Sequence, residues 1–212
     1  MFAGEPTQTA NRRTKLTLRA AFVVANTVLI GVFIHQYLAA SASPVASSSS
    51  AASPSDTHRG PLGVADGAVP AGVTVFDDEV PAVANLDADL LGALRKAATD
   101  AADDGVTFYV NSGWRTPAYQ EQLLREAVSK YGSEKEAARW VATPQTSPHV
   151  AGHAIDIGRS DATKWLSKHG AKYGLCQIYD NEPWHYELRP EAIDNGCPPR
   201  YADPTHDPRM QQ

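Results

Sequence analysis

The sequence predicts an α+β domain built on a small antiparallel sheet flanked by helices, and three observations carry that expectation. Helical periodicity lies mainly in the first part of the body, from Leu86 to Ala98 and again after Thr116-Pro117. Two short runs rich in β-branched and aromatic residues, GVTVF at 72–76 and VTFYV at 106–110, read as strands. Late in the chain, Gln177–Tyr179 and Trp184–Leu188 read as the arms of a hairpin around Asp180-Asn181. Helices early and a hairpin late favour α+β over an alternating βαβ repeat.

The helices follow from spacing and caps. Leu86, Leu90, Leu91, Leu94 and Ala98 recur on one helical face, and Asp103-Asp104-Gly105 stops the run. A second helix opens at Thr116-Pro117, with proline at its first position, and continues through Leu123, Leu124 and Val128 to Gly132. Ser133 and Glu136 form a capping-box signature for a third, ending before Pro144. A fourth spans Ser160 to His169 and stops at Gly170. The folded body is expected over residues 71–197, and the proline-rich residues 198–212 read as a flexible tail.

The N-terminal part differs in composition. Residues 1–60 carry five basic and two acidic side chains, while residues 61–212 carry 14 basic and 22 acidic of the chain's 19 and 24. A body that acidic lacks the footprint of a nucleic-acid binder. Residues 20–40 are predominantly apolar and long enough to cross a bilayer. Four basic residues in the preceding tail (1–19) place that tail in the cytoplasm and the rest outside. The expectation is a single-pass segment in a cell membrane, or a secreted domain if the chain is cleaved near Ala42. Residues 41–70, rich in serine, alanine and proline, read as a flexible linker. Cys176 and Cys197 are the only cysteines, and in an oxidising compartment an even pair favours a disulfide.

Two short segments concentrate the chemistry: Ser147-Pro148-His149-Val150-Ala151-Gly152-His153-Ala154-Ile155-Asp156 and Glu182-Pro183-Trp184-His185. Two imidazoles and a carboxylate are natural zinc ligands that leave a fourth position open. His149 and His153 would share a helix face, but Pro148 and Gly152 argue against a helix, and Ile155 and Ile157 favour a strand. His149 and Asp156 are the better pair, with His185 completing the set. A nearby carboxylate outside that set can move a proton. Trp140 and Trp165 are expected in the core.

The order Ser147-x-His149-x-x-Gly152-x-Ala154-x-Asp156, then Glu182-x-Trp184-His185, resembles the zinc D-alanyl-D-alanine carboxypeptidase (VanY-type) family. Upstream, Ser112-Gly113-Trp114-Arg115 followed by Gln120 and Leu123-Leu124 resembles a further motif of that family. The resemblance spans residues 72–190. It implies the fold shared by DD-peptidases and Hedgehog-like domains, with Zn²⁺ held by His149, Asp156 and His185. It also implies Glu182 as general base and acid, with Arg115 stabilising the oxyanion or orienting substrate. Gln120, Ser147, Trp114 and Trp184 are expected as substrate contacts. The implied activity is removal of the terminal D-Ala from a peptidoglycan stem peptide by a Glu-activated zinc-bound water, in a monomer. An endopeptidase or DD-dipeptidase would share the site, and a non-catalytic zinc- or wall-binding module would have no need of Glu182.

Overall fold

A computed structural model describes residues 62–211 of the chain. The expected basic tail, the apolar segment 20–40 and most of the linker lie outside the described residues. Among the described residues, no helix is long and apolar enough to cross a membrane.

In chain order the elements are α1 (Pro81–Ala84), α2 (Ala88–Asp103), β1 (Tyr109–Ser112), α3 (Pro117–Tyr131), α4 (Glu134–Ala137), β2 (Ala154–Gly158), α5 (Ser160–His169), β3 (Leu175–Gln177), β4 (His185–Leu188) and α6 (Ala192–Asn195). The four strands form one antiparallel sheet in the order β1-β2-β4-β3. Helix α2 begins because the Asp87 carboxylate accepts from the free amides of Asp89 and Leu90, and its buried stripe is Leu90, Leu94, Ala97, Ala98 and Ala101. Helix α3 begins with the Thr116 hydroxyl accepting from Tyr119 N and ends at Gly132, whose φ of 81° closes the helix. The core joins α2, together with Ala162, Trp165 and Leu166 of α5, to Phe108, Ile155, Ile157, Leu175 and Tyr186.

Strand β2 sits at the centre of the sheet, and its alternation positions the site. Ile155 and Ile157 are buried in the core, so Asp156 lies on the other face. On that face Asp156 stands opposite His185 of β4 and, across a register irregularity, Ser112 of β1. His185 and Glu187 share a face for the same reason, with Tyr186 turned into the core.

Several expectations are corrected. The run 72–76 forms only an isolated bridge between Thr74 and Tyr109, because the Asp77 carboxylate takes both the amide and the hydroxyl of Thr74 into a turn. The strand expected at 106–110 begins at Tyr109, and the third helix is a single turn. Structure begins before residue 71, since the Asp66 carbonyl accepts from Thr116 N at 2.9 Å. The expected flexible tail packs on the body. Its short 3-10 turns, Pro204–His206 and Pro208–Gln211, follow Asp203 and Asp207, and both of these carboxylates are buried. Composition gave no sign of this, because charged partners rather than an apolar stripe hold the segment.

Candidate metal centre

His149, Asp156 and His185 converge on one point. His149 Nε2 lies 3.3 Å from His185 Nδ1 and 3.4 Å from an Asp156 carboxylate oxygen, and that oxygen lies 3.2 Å from His185 Nδ1. Tetrahedral zinc with bonds of about 2.0–2.1 Å to nitrogen and oxygen would set its donors about 3.3–3.4 Å apart. The three side chains therefore fit one small tetrahedral cation.

The second nitrogen of each imidazole explains why the first is free to ligate. His149 Nδ1 faces the Gly113 carbonyl at 2.9 Å, and His185 Nε2 faces Glu187 Oε1 at 3.3 Å. Both partners only accept, so those nitrogens carry the hydrogens and leave His149 Nε2 and His185 Nδ1 to the site. Gly113 is required there. A Cβ would meet the Ala82 carbonyl oxygen at 2.1 Å, the same oxygen that accepts from Trp114 N. Gly152, with φ of 75°, makes the bend between His149 and β2, and a Cβ would meet the Asn85 carbonyl oxygen at 2.7 Å.

The electrostatics separate the two histidines. Burial, with Arg115 nearby, lowers His149 to about 4. Burial also opposes charge on His185, but its bonds to Asp156 and Glu187 outweigh this and raise it to about 9. Asp156 is held well below the usual carboxylate range; burial works against this, and the two histidines overcome it. A divalent cation would take the place of the Nδ1 proton on His185.

Glu182 stands beside this set. Its Oε2 is 3.7 Å from His185 Nδ1, while its Oε1 is buried with no hydrogen-bond partner among the described residues. Burial is the largest cause of its rise to about 7, partly opposed by His185. Arg115 comes from the loop after β1. Its Nε is likewise buried without a partner, and burial lowers its pKa against the attraction of Asp156 and Glu182. Two orphaned polar atoms of opposite charge, facing one cleft, are unusual in a folded protein and mark a place built for a polar ligand.

That cleft has a volume of about 240 Å³. Arg115, Gln120, Ser147, Trp184, Glu182 and the three converging side chains line it, together with Tyr131, Trp140, Tyr179, Pro204 and Met210. Gln120 is buried and ties two walls together, donating to the Ala142 carbonyl and accepting from the Ser147 hydroxyl. Trp114, expected as a substrate contact, is not among the lining residues; its amide anchors the loop to Ala82 instead. Trp140, expected in the core, is 36% exposed, stacks on Tyr131 and lines the cleft. Trp165 lies in the core. His153 is exposed, away from the converging donors, in a depression with Glu187 and Arg209. Cys176 and Cys197 form a disulfide that ties β3 to the chain after α6. Glu187 and Arg209 went unread in the sequence. Alternation along the strand from His185 pointed to Glu187, but no local signal pointed to Arg209.

Residues 83–191 match the sequence model of the VanY family, D-alanyl-D-alanine carboxypeptidase, and the chain belongs to that family. A D-alanyl-D-alanine carboxypeptidase of Enterococcus faecalis (strain ATCC 700802 / V583) is 32% identical, over 41% of this chain and 41% of its own. The chain thus spans less than half the length of that relative. Among solved structures, VanYB in complex with D-alanine-D-alanine is 28% identical over 52% of this chain and 74% of that one, with a TM-score of 0.48. A mutant of the vancomycin-resistance D,D-pentapeptidase VanY in complex with Zn(II) is 29% identical over 49% and 72%, with a TM-score of 0.46.

Proposed function

We propose that this chain is a zinc-dependent D-alanyl-D-alanine carboxypeptidase that removes the terminal D-Ala from peptidoglycan stem peptides. The observation that carries the reading is the convergence of three donor atoms at 3.2–3.4 Å beside a buried carboxylate oxygen with no partner among the described residues. Family membership supports the choice of bond. His149, Asp156 and His185 would hold the zinc, which supplies a Lewis acid and lowers the pKa of water when bound.

The chain's own groups then divide the work. Glu182, buried beside the three donors, accepts a proton from the attacking water through its free oxygen and returns it to the leaving amine. Arg115 brings positive charge to the developing oxyanion or to the substrate's terminal carboxylate. Gln120 and Ser147 hold the wall between them in one geometry. Trp184 and Trp140 offer flat apolar surface to the peptide.

A binding module has no need of a second, buried carboxylate that stands beside its metal without ligating it, which favours catalysis over the non-catalytic reading. The cleft adjoins a groove of about 520 Å³ that shares Val141, Ala142, Pro204 and Met210 with it, which favours a stem peptide over a free dipeptide. The apolar run 20–40 supports placement of the domain outside the membrane, where such peptides lie.

Incubation of a muropeptide pentapeptide with the full chain and Zn²⁺, followed by mass spectrometry, tests this. Loss of one alanine, abolished by a chelator, is the expected result. An unchanged pentapeptide contradicts it, and cleavage of a cross-linked dimer alone would indicate the endopeptidase.

A further inference from the structure

We propose that the C-terminal segment Asp203–Gln211 is a working part of the metal centre, with Arg209 acting through Glu187 to hold His185 in its ligating orientation. This rests on the reading of His185 as a zinc ligand. The family match ends at residue 191, so Arg209 lies outside it.

The geometry is a clamp. Arg209 takes both oxygens of Glu187, Nη1 on Oε2 at 2.7 Å and Nη2 on Oε1 at 3.1 Å. Arg189 adds a bond to Oε2 at 2.7 Å. From the other side Asp207, fully buried, accepts from Arg209 Nε and Nη2 and also from the Tyr179 hydroxyl at 3.0 Å. The Tyr179 ring packs on the His185 imidazole with centroids 5.1 Å apart. The path is therefore a closed circuit: His185 to Glu187 to Arg209 to Asp207 to Tyr179 and back to His185.

With Arg189 included, the charges balance, two carboxylates against two guanidiniums. A planar fork that holds both oxygens fixes the carboxylate plane, which a single bond does not. Glu187 Oε1 is the atom that accepts from His185 Nε2. Fixing that oxygen fixes the ring and keeps Nδ1 turned to Asp156 and His149. Arg209 is thus a positioning residue; it touches no reacting atom. Loss of Arg209 leaves Glu187 paired with Arg189 and Asp207 with the Tyr179 hydroxyl, so each buried carboxylate retains a partner in the variant.

Zinc affinity of the metal-free full chain, measured by competition with a chromophoric chelator, tests the clamp. Arg209→Met should bind zinc about 10- to 100-fold more weakly, the range expected when a ligand's supporting partner is lost. Arg209→Lys should recover part of that affinity, because it restores charge but not the fork. The visible spectrum of the Co²⁺-loaded Arg209→Met protein should also change, a readout that general destabilisation would not move. Should Arg209→Met not fold, a folded Arg209→Lys with parental affinity overturns the proposal. Parental zinc affinity in folded Arg209→Met, with zinc lost in His185→Ala, overturns the clamp and leaves the metal reading standing. Parental affinity in His185→Ala overturns both.

Discussion

Glu182 concentrates the chemistry at the scale of single residues. If it moves protons and does not hold metal, Glu182→Gln should keep zinc while its turnover number falls by about 10²–10⁴, the usual contribution of general acid–base catalysis. Glutamine keeps the shape but cannot accept the proton. Metal content and steady-state kinetics on the same preparation check this; turnover close to that of the parent would assign the proton transfer to another group. The site was legible to the extent that residue type and short-range spacing carry it. His149, Asp156, Glu182 and His185 announce themselves by type, and alternation about Ile155 and Ile157 set the face of Asp156. Trp114 and Trp140 were misplaced because an indole serves equally in a core or at a cleft wall. Only the path of the loop decides which it does.

Among the elements, the loop after β1 has the tightest fit. A methyl group at Gly113 would collide with the Ala82 carbonyl and drive the loop away, taking with it the Gly113 oxygen that holds His149 Nδ1. Gly113→Ala should therefore lower stability by about 1–3 kcal/mol or more and weaken zinc binding as well. Chemical denaturation and a zinc titration measure the two effects; a stable variant with parental zinc affinity would refute the account. In the C-terminal turn, Asp203 accepts from Thr205, His206 and Arg139. Burial opposes its charge, but these bonds hold its carboxyl at about 2, below its ordinary 3.8. The native state thus favours the ionised form. The resulting stability, about 2 kcal/mol, is fully present above pH 4 and is lost as pH falls through 4 towards 2. Asp203→Asn should be less stable than the parent at pH 7, with the difference shrinking by pH 2.5. An equal difference at both pH values would refute this. Helices α2 and α3 were legible because their caps and apolar spacing are local, and α5 because Gly170 marks its end. The central place of β2 and the docking of the tail were not, since both depend on pairings between distant residues.

At the largest scale, the described residues are held by a main core, a smaller cluster around Ile178 and Tyr179, the disulfide and a network of charges. The Cys176–Cys197 bond closes a loop that contains Glu182, His185 and Glu187. On the chain-entropy account it contributes about 3 kcal/mol, so the double Cys→Ser variant should melt on the order of 10 °C lower. An unchanged melting temperature would show that the staple is idle. The pairing was readable from the cysteine count together with the expected compartment. The fold class was readable from the order of the elements, but the sheet order was not.

Everything proposed for catalysis depends on His149, Asp156 and His185 acting as one zinc site. Metal analysis of the purified full chain and of its three single alanine variants tests that most directly. The account predicts about one zinc per parent chain and its loss in each variant; full occupancy in His185→Ala would contradict it.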